Sequence, residues 1–368
     1  FIFLITKRYL GEVTSLLSAL MFAILPFSVF YSRTTLPEPT FIFFSLGMMY
    51  FGESLIWDRK FFYPTLLFTM VAFLIKPWAI FFAIPLIYSY IKKEGRIWPI
   101  KWKIVLFVLV SLLPFILWRL WILQNPEGIP ASNWLFDGDH LRFHPSFWWW
   151  IISERLGREI LGVTGFFLFF FGLIAKPKRG WFLHIFALSL FSYFCIFATG
   201  NVRHDYYQLI FTPIASIFLS VGFVELISAR EKLVARFWRI PLAVLFLILT
   251  LYFTWTQVKE LYKVNNPDIV DAGKFADKIL PKNAIVIAPY NGDTAFLYQI
   301  QRPGWPIVAL PIPEMVANYG VTNYISVNRD DQTNWVLRHF KILEDNSKFV
   351  IADLTKIEHP LIPEDKEP

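Results

Sequence analysis

The chain has 368 residues, 56% hydrophobic and 19% aromatic, and only 17% of them carry charge. Together with a mean hydropathy of +0.48, this excludes an ordinary soluble domain, where about a quarter of residues are charged. The net charge of +7 argues for a membrane partner and against nucleic acid, because Lys and Arg punctuate apolar runs instead of forming one basic face.

The chain begins with "FIFLI" followed by "TKR", a pattern that reads as the end of a span already under way, so an N-terminal portion is expected before it. Nine apolar runs follow, at 13–31, 40–57, 61–75, 78–91, 103–123, 160–175, 181–199, 206–226 and 240–258. In a bilayer such runs must be helices, since no other open segment satisfies its own backbone hydrogen bonds. Basic residues occupy alternate loops: Lys7 and Arg8; Arg59 and Lys60; Lys92, Lys93, Arg96 and Lys101; Lys176, Lys178 and Arg179; Arg230, Lys232, Arg236 and Arg239. The positive-inside rule makes these loops cytoplasmic. The segments 32–39, 76–77, 124–159 and 200–206, and everything after about 258, then lie outside.

After the last span the pattern changes. "DIVDAGKFADKIL" has helical spacing, while "AIVIAP" and "KFVIADL" are β-branched runs bounded by turn residues. The expected organisation is a membrane all-α domain over 1–258 followed by a soluble, extracytoplasmic α/β domain over 259–368. The single cysteine, Cys195, allows no intrachain disulfide and reads as packing. His184 falls inside a span, as a bundle-interior hydrogen-bonding residue. No Gly-rich phosphate loop, CxxC or HExxH occurs.

The conspicuous polar residues gather on the predicted outer face. "YSRTTLPEPTFIFF" carries Arg33 and Glu38 five residues apart across a Pro-flanked turn, placed either to pair with each other or to serve as an interfacial cation and a solvated loop acid. Lys76 stands at a Lys-Pro turn between two apolar runs, snorkelling to headgroups or meeting a phosphate. The long loop 124–159 holds Asp137, Asp139, His140, Arg142 and His144, and its length favours function. Asp139 and His140 could ligate a divalent metal with Glu38; adjacent Asp-His pairs are also common without metal. Trp148, Trp149 and Trp150 mark a helix lying in the interface. Arg155 and Arg158 with Glu159 and Glu154 read as structural i, i+4 pairs. In "NVRHDYY", Arg203, His204, Tyr206 and Tyr207 are binding candidates; the plainer reading has Asp205 capping a helix and the tyrosines anchoring at the interface.

Four stretches carry a family resemblance. "SRTTLPEPTFIFF", "AFLIKPWAIFFAIPL", "DHLRFHPSFWWW" and "RHDYYQLIFTP", in that order, resemble segments of the protein O-mannosyltransferases and their bacterial relatives the aminoarabinose transferases, of the GT-C class. The resemblance covers most of residues 1–258. It implies a polyprenyl-phosphate-linked sugar donor, transfer with inversion to an acceptor hydroxyl, and a bacterial plasma membrane. Cations at the outer interface would stabilise the departing phosphate, as Arg33, Lys76, Arg142 and Arg203 are placed to do. The resemblance puts Glu38 at the family's second acidic position, where Asp is common and some members bind a metal. The family's main catalytic acid belongs to an earlier external loop that this sequence does not include. Other classes that fit the composition are a transporter or flippase of lipid-linked saccharides and a membrane anchor presenting the α/β domain. Charged residues massed on one face favour the enzyme over the transporter, which would bury its ionisable groups near the midplane.

Overall fold

The computed structural model describes residues 1–96, 98, 101–124, 133–228, 236–263 and 265–359. The predicted cytoplasmic residues Arg230 and Lys232, and residues 125–132 of the long loop, lie outside the described residues. The chain divides into two compact units, Phe1–Tyr262 and Lys263–Pro368.

Apolar sequence without internal glycine or proline clusters becomes helix here because each helix satisfies its own backbone. The first unit runs α1 (Ile2–Tyr9), α2 (Glu12–Ile24), α3 (Pro26–Tyr31), α4 (Glu38–Trp57), α5 (Phe62–Ile75), α6 (Ile80–Glu94), α7 (Trp102–Gln124), α8 (Pro145–Trp148), a π-helical stretch Trp149–Ile160, α9 (Gly162–Ile174), α10 (Phe182–Ile196), α11 (Ala198–Arg203), α12 (Thr212–Ser228) and α13 (Arg236–Val258). Each of the nine predicted runs is helical over most of its length, but they are not nine equal spans. Among the described residues four helices are long and apolar enough to cross a bilayer: α4, α7, α12 together with the 3₁₀ turn Asp205–Phe211 before it, and the helix containing α13. The run predicted at 13–31 breaks at Leu25, because Pro26 brings no N–H to continue α2. Several others are only 13 to 15 residues long, short of the roughly 20 needed to cross the hydrocarbon layer unaided.

Burial orders the bundle. The most apolar windows of α12 and α4 are 67% and 56% buried within the protein, whereas that of α7 is 6% buried; α12 and α4 are central and α7 presents nearly its whole circumference outward. The tightest crossing is α9 on α12. A Cβ on Gly222 would stand 1.9 Å from the Leu168 carbonyl oxygen, and one on Gly172 would stand 2.0 Å from that of Phe218. Only glycine lets the two backbones approach this closely, and in lipid such dispersion contact is what holds helices together.

Segment Pro145–Ile160 meets α9 at a bend of 111°. Gly162 makes the turn with φ +60°, a left-handed conformation that side chains resist. Trp149 is 65% exposed and Trp150 38%, as expected for a helix turned away from the span that follows and edged with aromatic rings.

The turn Lys259–Tyr262 belongs to the helical unit, where Tyr262 meets Phe30 at 4.9 Å between ring centroids. The second unit is α/β. Five strands, β1 (Val286–Ile287), β2 (Gly304–Trp305), β3 (Asn323–Ser326), β4 (Phe340–Asp345) and β5 (Val350–Ile357), form one sheet ordered β2-β1-β3-β5-β4, with β1 parallel to β2 and β3, and β5 antiparallel to β3 and β4. Strand alternation divides the core in two. Val286, Ile325 and Ile351 pack with α14 (Pro267–Ile279) and α15 (Ala295–Ile300); Ile287, Tyr324 and Ala352 pack with α16 (Ile312–Tyr319) and α17 (Asp331–His339). The helical pattern in "DIVDAGKFADKIL" becomes α14, and the runs in "AIVIAP" and "KFVIADL" become β1 and β5.

Candidate active site

The first residue of α4 is Glu38, and its side chain is fully buried. Pro39 next to it has no N–H to lose at a helix start, so the chain can enter α4 with a carboxylate at its positive end. Lys76 ends α5, and its extended backbone followed by Pro77 turns the chain into α6. These two turns bring the side chains together: the Lys76 ammonium donates to Glu38 Oε1 in an ion pair only 16% and 0% exposed. The same ammonium lies 4.3 Å from the Trp78 ring centroid and 5.2 Å from that of Tyr207. Burial lowers the Lys76 pKa from its ordinary value, opposed by the attraction of Glu38. Glu38 Oε2 is buried without a hydrogen-bond partner, leaving an acceptor in reserve beside a fixed cation.

Tyr207 belongs to the turn Asp205–Phe211, which is tied by Gln208: its Nε2 donates to the Asn201 backbone oxygen at 2.7 Å and to Asn201 Oδ1 at 3.0 Å. Aromatic contacts extend the site outward. Tyr206 meets Tyr207 edge-to-face at 4.5 Å between ring centroids, His204 lies 5.7 Å from Tyr207, Trp134 lies 5.5 Å from His204, and the exposed Arg203 guanidinium sits 5.8 Å from the Trp134 ring. Glu38, Lys76, Tyr207, Tyr206, His204 and Arg203 thus form one connected group drawn from three distant stretches.

Other candidates stand apart. Arg33 is exposed and does not pair with Glu38, which Lys76 occupies instead. Arg142 is clamped: its Nε lies 2.8 Å from the buried Asp137 carboxylate, outside good hydrogen-bond alignment, and its Nη1 donates to the Cys195 backbone oxygen at 3.3 Å. Asp139 and His140 are exposed, and among the described residues no three His, Cys, Asp or Glu side chains gather to hold a metal ion. The Asp139, His140 and Glu38 metal set is therefore not assembled, because Glu38 faces the bundle interior. Asp205 does not cap its turn, since the residue before it, His204, takes the cap position. Asp205 instead faces Arg155 at 3.9 Å, and Arg155 also donates to Glu159 at 2.6 Å.

Sequence reasoning passed over Trp78 and Gln208. The signal for Trp78 was its place two residues after Lys76, where an aromatic face can cover a desolvated ammonium. The signal for Gln208 was a lone amide inside an apolar run, which must find buried partners. A second buried carboxylate on α4, Glu53, accepts from Arg8 at 2.7 Å and from the Tyr9 hydroxyl. At 1.5 Å per residue it lies about 22 Å along the helix from Glu38, so α4 carries one buried ion pair near each end.

Residues 1–121 match the model of the dolichyl-phosphate-mannose-protein mannosyltransferase family. No curated protein sequence matches the chain. Among the solved structures that share its fold are ArnT from Cupriavidus metallidurans in the apo state, with TM-score 0.58 and 13% identity, and the same protein bound to undecaprenyl phosphate, with TM-score 0.54 and 12% identity. Each comparison covers 96% of this chain and 81% of the other. The family match thus covers the first third of the chain, and over most of its length the chain shares the fold of ArnT.

Proposed function

We propose that this protein is a membrane glycosyltransferase that moves a sugar from a polyprenyl-phosphate donor to an acceptor hydroxyl at the outer face of a bacterial plasma membrane, with inversion. The observation that carries the proposal is the buried Glu38–Lys76 pair beside Tyr207, within the stretch matched by the mannosyltransferase family and in a fold shared with a protein solved with undecaprenyl phosphate bound.

The chemistry asks for a cation where the leaving phosphate gains charge. Lys76 is pre-positioned in a low-dielectric setting, where its field on an incoming phosphate is less screened than in water. Its carboxylate partner keeps it from being a lone buried charge until donor arrives. Arg203 and Arg33 are exposed and free to meet a phosphate that approaches from the interface; an Arg fork suits two phosphate oxygens. Arg142 holds the external loop through Asp137, and its role is to position that loop. Glu38, through its unpartnered Oε2, orients a hydroxyl of donor or acceptor.

Transfer of radiolabelled sugar by the purified protein from polyprenyl-phosphate donors to a cell-envelope extract tests this. Product that requires the polyprenyl-phosphate donor supports the reading. Donor carried across the bilayer without consumption replaces it with lipid-linked saccharide transport.

A further inference from the structure

A crevice opens at the opposite end of the helical unit from Glu38, between α2, α9, α10 and α12. Its volume is about 70 Å³, and its mouth is open. Phe218 and Val221 line its apolar part, and the α9–α10 loop places Lys176, Lys178 and Arg179 on its rim. Among the described residues one acid, Glu225, joins the lining. It meets Lys178 at 3.0 Å with Lys178 77% exposed, a solvated pair of little strength. The Arg179 guanidinium makes one long contact, 3.4 Å to the Arg8 backbone oxygen, and Lys176 is exposed. The rim therefore keeps a net excess of positive charge.

His184 also lines the crevice. Its Nε2 lies 3.1 Å from the Leu173 backbone oxygen. A carbonyl oxygen only accepts, so this nitrogen carries the proton, and in the neutral ring Nδ1 is left as an acceptor. That Nδ1 is buried without a partner, a state that a native interior rarely tolerates. The crevice thus combines three cations at its mouth with an apolar lining from α12.

The geometry points to a binding site for an anionic glycerophospholipid of the cytoplasmic leaflet, with its phosphate at Lys176 and Arg179 and an acyl chain against the partly exposed Val221 and Val224. The assignment to that leaflet follows from Lys7 and Arg8 standing at the same end of the bundle. It is independent of the transfer reaction proposed for the other face.

The test is lipid binding to the whole protein, stripped of lipid in detergent, with bound phosphatidylglycerol or phosphatidylcholine of identical acyl chains counted by native mass spectrometry. Phosphatidylglycerol should bind at least tenfold tighter. Lys176→Gln with Arg179→Gln should abolish that preference. Val221→Trp, which leaves every charge in place, should lower retention of phosphatidylglycerol about fivefold and carries the test if the double substitution does not fold. Equal binding of the two lipids, or unchanged preference in the variants, overturns the proposal. So does displacement of phosphatidylglycerol by equimolar glycerol phosphate, which would mark a site for soluble phosphate, or by equimolar polyprenyl phosphate.

Discussion

Separating Glu38 from Lys76 is the perturbation whose size the structure fixes best. The pair is 0% and 16% exposed, so removing one partner strands the other in a poorly hydrated site. Losing a partner from a buried pair costs about 3 to 5 kcal/mol, against about 0.2 to 1 for an exposed one. Lys76→Met strands the fully buried carboxylate and should lower unfolding stability by about 4 kcal/mol. Glu38→Gln leaves the ammonium over Trp78 and Tyr207, where cation–π attraction offsets about 1 to 2 kcal/mol, so its cost should be nearer 2. The double variant removes both charges and should fall short of the sum of the singles by about 2 to 3 kcal/mol. Reversible unfolding of the four proteins in one detergent measures that coupling. A coupling below about 0.5 kcal/mol would refute the claim of a desolvated pair. Transfer assays on the same proteins separate stability from chemistry: Glu38→Gln should lower kcat/KM at least tenfold per folded molecule, and unchanged transfer removes Glu38 from the site.

Glu53 supplies the comparison, since it too is buried and paired, with Arg8. Glu53→Gln should destabilise by about 2 kcal/mol yet leave kcat/KM per folded molecule within about threefold, and a tenfold loss would show that burial alone accounts for the Glu38 effect. Gly222→Val should prevent assembly of α9 on α12, because its Cβ would fall 1.9 Å from a backbone oxygen; recovery of a folded protein with unaltered melting would contradict that crossing. In the α/β unit Arg302 is buried and donates to the Pro281, Leu280 and Gln301 backbone oxygens as well as to Asp277, so Arg302→Met should cost about 3 kcal/mol, read by hydrogen exchange of α14 and β1. Asp277 is held below its ordinary 3.8 by hydrogen bonds from Lys282 and then Arg302. Its stabilisation is complete above 3.8 and is lost as pH falls through the lower folded value; in Asp277→Asn that acid-dependent loss should shrink, and an unchanged acid profile would dismiss the linkage. Cysteine at Arg33 should react with an impermeant reagent in intact cells and cysteine at Lys60 should not, and the reverse pattern inverts the topology.

Much of this was legible locally. Apolar run length set the helices, and turn residues with β-branched runs gave β1 and β5 of the second unit, because backbone satisfaction and side-chain alternation are short-range requirements. Lys76 and Glu38 were each conspicuous as charges beside apolar runs. Their pairing was not legible, since 38 residues separate them and nothing in either stretch encodes the other.

The sequence alone determined a membrane helical bundle followed by an α/β unit, the placement of its charges at helix ends, and the residue types available for phosphate recognition. Tertiary structure decided which charges are spent on one another. Glu38 took Lys76 in place of Arg33, Arg142 was committed to Asp137, and Asp139 and His140 stayed at the surface. The reason is physical: a charge carried into low dielectric needs a partner within a few ångströms, and only the packing of α4 against α5 and α6 determines which partner is that near.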